Sequence, residues 1–196
     1  MKDISVQIEE HYAKKANAAT TTRKDIGDYW ETDKIAVNVK SNNVEKENFS
    51  PNLVSCKKVY DFLSAHPKNR LKFIFVDYEL DSKGKYKVLK DKKVDMEEID
   101  WECLSIQCQG TGVIQRSSEL KTRPMIDRED WLNEFRDQYE EYLQRQEQKM
   151  NDLREHFKMD TVERKIEKKK KELEPLKRRV LFSNTVVDFD DPRFSN

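Results

Sequence analysis

Asp25-Ile26-Gly27-Asp28-Tyr29-Trp30-Glu31-Thr32-Asp33-Lys34-Ile35-Ala36-Val37-Asn38-Val39-Lys40 decides the fold: a carboxylate-bearing turn, then an apolar strand that ends in two polar residues with one valine between them. Side chains two apart on a strand share a face. Asn38 and Lys40 therefore point to one side with Ala36, while Ile35, Val37 and Val39 point to the other, into a core. The polarity of residues 29–34 predicts a hairpin turn, which brings Asp28 level with Asn38 and Lys40. A carboxylate, a polar oxygen and a lysine meeting on one face can hold Mg²⁺ and an attacking water beside a phosphodiester. The same residues also describe a solvated surface hairpin whose Asp and Lys only make ion pairs.

At these positions the chain resembles the PD-(D/E)XK nuclease superfamily, and within it the type II restriction endonucleases. That pattern is an Asp, a gap, an acidic residue, any residue, and Lys; here Asp28 and Lys40 match and Asn38 departs. The resemblance implies that Asp28, Asn38 and the carbonyl of Val39 are metal ligands and that Lys40 sits beside the nucleophile. An amide at 38 keeps a neutral oxygen ligand but loses one negative charge, which weakens Mg²⁺ binding. Glu9, Glu10 or Glu31 is the candidate compensating carboxylate, since some relatives take one from the preceding helix. The order downstream fits the family core: Ser41-Asn42-Asn43, a helix opening at Ser50-Pro51, then a strand over 71–78. The implied fold is α/β, a restriction endonuclease-like mixed central sheet flanked by helices, with a C-terminal helical extension. The first strand of that family core is expected to be absent, fused into 23–30, or supplied by residues missing from the start of this chain.

With 196 residues the chain has room for one ordinary domain and an appendage. The parse is a nuclease core over 1–126, a helical extension over 127–179 and a tail over 180–196. Hydrophobic residues make up 36%, so the core is modest, and much of the polarity lies in the C-terminal third. Lys+Arg and Asp+Glu both number 38, so no global basic field advertises nucleic acid, and any DNA-binding face must be local. Cys56, Cys103 and Cys108 are widely spaced, with no zinc-type spacing to His11, His66 or His156, and read as reduced thiols. There is no apolar run long enough for a membrane helix and no signal-peptide pattern, so a soluble cytoplasmic protein is expected.

Along the chain, residues 4–18 place Ile4, Ile8, Tyr12 and Ala16 on one helical stripe. Ser50 reads as an N-cap and Pro51 as a first helical residue, with Leu53, Cys56, Tyr60 and Leu63 as the buried stripe that stops at His66-Pro67. The run 71–78 is apolar on both faces and predicts a central strand beside the hairpin. Asp81–Gly84 is a turn into a strand at 86–89, and a second turn precedes Val94-Asp95-Met96, the two reading as an antiparallel hairpin. From Asp127 to about Arg179 two helices are expected, broken at Met159-Asp160-Thr161, and the basic run from Lys165 reads as a solvated face or a phosphate-tracking or dimerising arm. The apolar segments at 180–182 and 186–189 are expected to be β-prone and to dock on the domain or a partner subunit.

Gln107, Gln109 and Gln115 flank a glycine-rich turn and form an amide surface of the kind that contacts base edges or phosphates; with Ser41, Asn42 and Asn43 they are the candidate DNA-binding residues. The reading is a sequence-specific, Mg²⁺-dependent endodeoxyribonuclease of a restriction system, acting on double-stranded DNA, with a homodimer implied by the resemblance. The alternative is a non-catalytic DNA- or protein-binding module with a degenerate nuclease site and a helical interaction arm. A small-molecule enzyme has little behind it, because no nucleophile–base pair or cofactor loop is present.

Overall fold

The hairpin forms. In a computed structural model that describes residues 3–22, 25–45, 51–159 and 162–183, with side chains to 175, β1 (Tyr29–Thr32) pairs antiparallel with β2 (Ile35–Asn43), Tyr29 opposite Val37. β2 also pairs in parallel with β4 (Arg70–Leu80), Asn38 beside Phe73 and Lys40 beside Phe75. β5 (Tyr86–Asp95) closes the order β1-β2-β4-β5, antiparallel to β4. A smaller antiparallel sheet has the order β3-β7-β6, with β3 at Asn52–Ser55, β6 at Leu104–Gln107 and β7 at Val113–Arg116. The helices are α1 (Ile4–Lys15), α2 (Cys56–Ala65), α3 (Arg128–His156) and α4 (Val162–Ser183). The class is mixed α/β, two sheets with flanking helices and a C-terminal helix. Two compact units divide the chain, 1–144 and 145–196.

In the first unit the larger sheet is covered on both faces, and the alternation along β2 explains how. Val37 and Val39 join Ile74 and Val76 of β4 and Ile8, Tyr12 and Ala13 of α1 in one apolar cluster. Ala36, Phe73 and Phe75 face the other way, into a larger cluster with Val59 and Leu63 of α2, Ile106 and Ile114 of the small sheet, and Trp131, Leu132 and Phe135 of α3. Asn38 and Lys40 lie on this second face. An isolated antiparallel bridge joins Thr20 to Tyr29, at the start of β1.

Three expectations need correction. Residues 52–55 do not open a helix: they form β3, Asn52 opposite Gln115 and Val54 opposite Ile114, and α2 begins at Cys56 with Ser55 at its N-cap. Ser50 lies outside the described residues. The partner strand of β3 is remote in sequence, so nothing local distinguishes this stretch from a helix entry. Residues 90–93 are not a turn either; they continue β5 as a charged, solvent-facing edge strand, the usual protection of an open edge. Residues 180–183 extend α4. The remaining tail, with Val186–Phe189, lies outside the described residues, as do Asp160 and Thr161 of the expected break. The break between α3 and α4 is as expected, and at the start of α3 the Asp127 carboxylate accepts from the Glu129 amide at 2.8 Å.

The start of α3 is fixed by a buried carboxylate that no periodicity reveals. Glu97 is fully buried, and its Oε1 accepts from Arg128 Nε at 2.9 Å and Arg70 Nη1 at 3.3 Å. Arg128 also donates to the Leu63 carbonyl at 2.8 Å and to the Asn69 carbonyl, so one guanidinium ties α3 to the end of α2. In the second unit Met150, Leu153, Phe157, Val162, Ile166 and Leu173 are exposed.

Removing Arg128 leaves the buried Glu97 carboxylate with only Arg70 as a charged partner and takes a donor from the Leu63 and Asn69 carbonyls. Arg128→Ala is expected to lose roughly 3 to 5 kcal/mol in urea unfolding, and Glu97→Gln in that background to recover part of it. A loss under about 1 kcal/mol contradicts this role.

Candidate functional site

The site is built around the segment that enters β1. Three successive carbonyls there each accept from a different side chain: Asp25 from Lys58 Nζ at 3.1 Å, Ile26 from Asn38 Nδ2 at 3.2 Å, and Gly27 from the Thr21 hydroxyl. The Asp28 amide donates to the Val37 carbonyl at 2.7 Å and its own carbonyl accepts from the Thr21 amide at 2.8 Å. Gly27 is required by this close approach: a Cβ would lie 2.7 Å from the Val37 carbonyl oxygen. The clamp sets Asp28 against β2, and its Oδ2 accepts from the Val39 amide at 2.6 Å. Since the N–H and C=O of one strand residue leave the chain on the same side, the Val39 carbonyl also faces the Asp28 side.

Asp28, Asn38 and Lys40 line one polar cavity of about 320 Å³. The lining also includes Thr22, Asp25, Asn52, Ser55, Lys58 and Gln109. Asn38 is 8% exposed. Its Nδ2 is bound to Ile26, which fixes the amide orientation and leaves Oδ1 buried with no partner. Of the unpartnered buried polar atoms among the described residues, this is the one that belongs to a residue of the cavity wall. An orphaned buried oxygen costs free energy unless a donor or a cation reaches it.

The two charged groups carry opposite strains. Burial pushes the Asp28 carboxyl above the ordinary carboxylate range, against the Val39 amide and the Lys40 ammonium, which hold it down. Burial also pulls Lys40 below the ordinary lysine value, against the attraction of Asp28 and Glu9. Each would be relieved by further opposite charge in the cavity.

The remaining predicted residues are distributed unevenly. Glu9, on α1, acts on Lys40 electrostatically; Glu10 does not line the cavity. Glu31 is committed elsewhere, to Lys72 at 3.4 Å and to Lys93. Gln109 is in the cavity wall, where its Oε1 accepts from Asn52 Nδ2 at 3.3 Å. Gln107 is exposed and donates to the Ser105 hydroxyl at 3.0 Å, and Gln115 lies on β7 opposite Asn52 and Ser105. Ser41, Asn42 and Asn43 continue β2 away from the cavity; Asn42 donates to Asp77 at 3.0 Å and the buried Asn43 accepts from the Glu45 amide at 3.0 Å. Among the described residues no cluster of three or more His, Cys, Asp or Glu could hold a metal, and no helix is long and apolar enough to cross a membrane. Asp25, Asn52, Ser55 and Lys58 escaped the sequence reading. Only the spacing of Ser55 and Lys58 on the first turn of α2 could have hinted at a shared direction.

No protein-family model matches the chain, and no curated protein matches it. Among solved structures the chain is similar to NlaIV restriction endonuclease, at 14% identity and a TM-score of 0.40, over 59% of this chain and 53% of that one. The chain thus spans about half the length of that protein.

Two outcomes test the geometry. Gly27→Ala forces a methyl into the β2 backbone, and overpacking of this kind costs roughly 1 to 3 kcal/mol in denaturant unfolding; an unchanged stability contradicts the close approach. Because the folded Asp28 carboxyl holds its proton to higher pH than the unfolded one, its contribution to stability is complete at acid pH and is lost as pH rises through the raised value. The Tm of Asp28→Asn relative to the parent should therefore rise as pH climbs from the ordinary carboxylate range through the raised value. A constant difference contradicts the shift.

Proposed function

We propose that this chain is a Mg²⁺-dependent endodeoxyribonuclease of restriction type, a member of the PD-(D/E)XK superfamily that hydrolyses phosphodiesters in double-stranded DNA, sequence-specifically and as a homodimer. The observation that carries the reading is the unpartnered, buried Oδ1 of Asn38, a residue that lines the same cavity as Asp28 and Lys40. A buried acceptor with no donor and a desolvated carboxylate are each stabilised by a bound cation.

The donors fit such an ion. Asp28, Asn38 Oδ1 and the Val39 carbonyl would hold Mg²⁺, an all-oxygen set in which waters and substrate phosphate oxygens fill the other positions. When bound, Mg²⁺ supplies Lewis-acid charge at the phosphoryl oxygens and lowers the pKa of water. Lys40, held by the fields of Asp28 and Glu9, orients the attacking water and offsets negative charge that develops at phosphorus. Asn38 fixes the Ile26 carbonyl and so keeps the loop before Asp28 in place. A single carboxylate in direct contact with the ion makes for weak binding in the absence of DNA.

One observation favours the second reading, a binding module with a degenerate site. An amide stands where the pattern has an acid, and its Nδ2 already serves the protein. The two readings separate on metal response. With Mg²⁺ or Mn²⁺ the purified chain should cut mixed-sequence duplex DNA, and Lys40→Ala or Asp28→Ala should lower the rate by at least about a hundredfold while binding in Ca²⁺ persists. Asn38→Asp should tighten Mg²⁺ binding, read from the fluorescence of Trp30, by about tenfold, as expected for one added carboxylate ligand. Cleavage by Lys40→Ala at the parental rate contradicts the nuclease reading, and a parent that neither cuts nor responds to Mg²⁺ or Mn²⁺ favours the binding module.

A further inference from the structure

β5 and the turn before it carry charge of one sign. From Asp81 to Val94 the chain has six lysines, at 83, 85, 87, 90, 92 and 93, against two acids, Asp81 and Asp91, although the whole chain has 38 of each sign. All six lysines are exposed, and β5 is the edge of its sheet. The register sorts them, because side chains of directly paired residues point to one side of a sheet. Lys92 is opposite Phe75, which pairs with Lys40, and Lys90 is opposite Asp77, which pairs with Asn42, so both lysines stand on the face that carries Asn38 and Lys40. On a regular strand Lys87, three residues from Lys90, falls on the other face. A register shift between Lys90 opposite Asp77 and Val88 opposite Tyr78 leaves Leu89 as the extra residue of a bulge, and Lys87, opposite Glu79, rejoins Lys90 and Lys92. The other face takes the remainder: Tyr86 and Val88 pack with the Val37 and Val39 cluster, Asp91 accepts from the Tyr12 hydroxyl at 2.7 Å, and Lys93 pairs with Glu31.

Positive charge on the shared face runs from the cavity to the sheet edge. The row Lys40, Phe75, Lys92 spans two strand spacings, about 10 Å, and the Arg116 guanidinium lies over the ring of its middle member at 5.3 Å. The acids of β4 on this face are engaged, Glu79 with Lys87 at 3.1 Å and Asp77 with the Asn42 amide at 3.0 Å. Lys92 donates to a neutral group, the Thr122 hydroxyl, at 3.0 Å, and keeps its charge uncompensated there. An open edge needs charge for protection, but neither a single sign nor its continuation to Lys40. Both features suit a polyanion. We propose that Lys90 and Lys92, flanked by Lys87, form a strip that tracks the phosphate backbone of duplex DNA beyond the cut position and steers the duplex across this face toward Asp28 and Lys40. The assignment rests on the nuclease reading for the identity of the polyanion and adds to it a binding surface outside the Asp28–Lys40 hairpin. Contacts of this kind supply affinity without reading bases, and the strip has no part in proton transfer.

The test uses the full chain and a fluorescein-labelled mixed-sequence duplex, with Ca²⁺ in place of Mg²⁺, titrated at several salt concentrations. Lys90→Gln combined with Lys92→Gln should weaken binding by at least roughly tenfold and reduce the slope of log affinity against log salt by about 1.8, at about 0.9 for each lost phosphate contact. Lys90→Glu combined with Lys92→Glu keeps the edge charged, and so protected, while reversing its sign; it should keep the parental Tm and bind more weakly than the Gln pair. Lys14→Gln combined with Lys68→Gln removes two exposed charges outside the strip, on α1 and on the turn after α2, and should leave affinity and slope near the parental values. Parental affinity and slope in the Gln and Glu pairs, from a parent that cuts DNA, overturn the strip and leave the nuclease reading standing. Equal losses in the Lys14 and Lys68 pair overturn it as well, since net charge alone then accounts for the effect. A parent that binds the duplex through the strip but cuts in neither Mg²⁺ nor Mn²⁺ upholds the strip and overturns the nuclease reading, and a parent that neither binds nor cuts overturns both.

Discussion

The hydrogen bond from the Val39 amide to the Asp28 carboxylate, 2.6 Å long, is the contact on which the site depends. It joins the residue before β1 to the middle of β2, and with the Asp28 amide on the Val37 carbonyl it extends the pairing of the two strands past the end of β1. Without it Asp28 would be a loop carboxylate free to point at water. With it the carboxylate is desolvated and acts on Lys40, in a cavity also lined by Asn38, whose Oδ1 has no donor.

That arrangement is costly in the isolated chain, and the surrounding structure shows how the cost is borne. β2 is interior, between β1 and β4, a place where apolar side chains lower the free energy on both faces. Val37 and Val39 obey that rule against α1, and Ala36 obeys it on the other face. Asn38 and Lys40 break it beside Phe73 and Phe75. The break is tolerated because Asn38 gains the Ile26 carbonyl and because Lys58 and Thr21 hold the adjoining carbonyls, so the loop cannot relax away from the strand. Local violations of the packing rules that are held in place by otherwise well-satisfied structure are the signature of a functional site.

Much of this was legible in residues 25–40 and 71–78. Alternation put Asn38 and Lys40 on one face, the polar turn returned Asp28 to them, and the doubly apolar run gave the neighbouring central strand; each is a local or nearest-neighbour signal. What stayed hidden depends on distant pairing. β3 is four residues long and exists because β7 lies alongside it, so Ser50-Pro51 read as a helix start when the cap was Ser55. The charged run 90–93 reads as a turn in isolation, and only the eleven-residue length of β4 shows that it continues an edge strand. Glu97 looks like a surface acid in a polar stretch until Arg70 and Arg128 arrive from elsewhere. For the same reason the α2 wall of the cavity was out of reach, since Lys58 was legible only as an outward residue of an amphipathic helix.

The central claim is that Asp28, Asn38 and the Val39 carbonyl share a divalent-ion site. Crystals soaked in Mn²⁺ and measured at the manganese edge test it most directly. The account predicts an anomalous peak roughly 2.2 Å from both the Asp28 carboxylate and Asn38 Oδ1. An ion bound elsewhere on the protein, with Asn38 Oδ1 taken up by a protein donor and no peak beside Asp28, would contradict it.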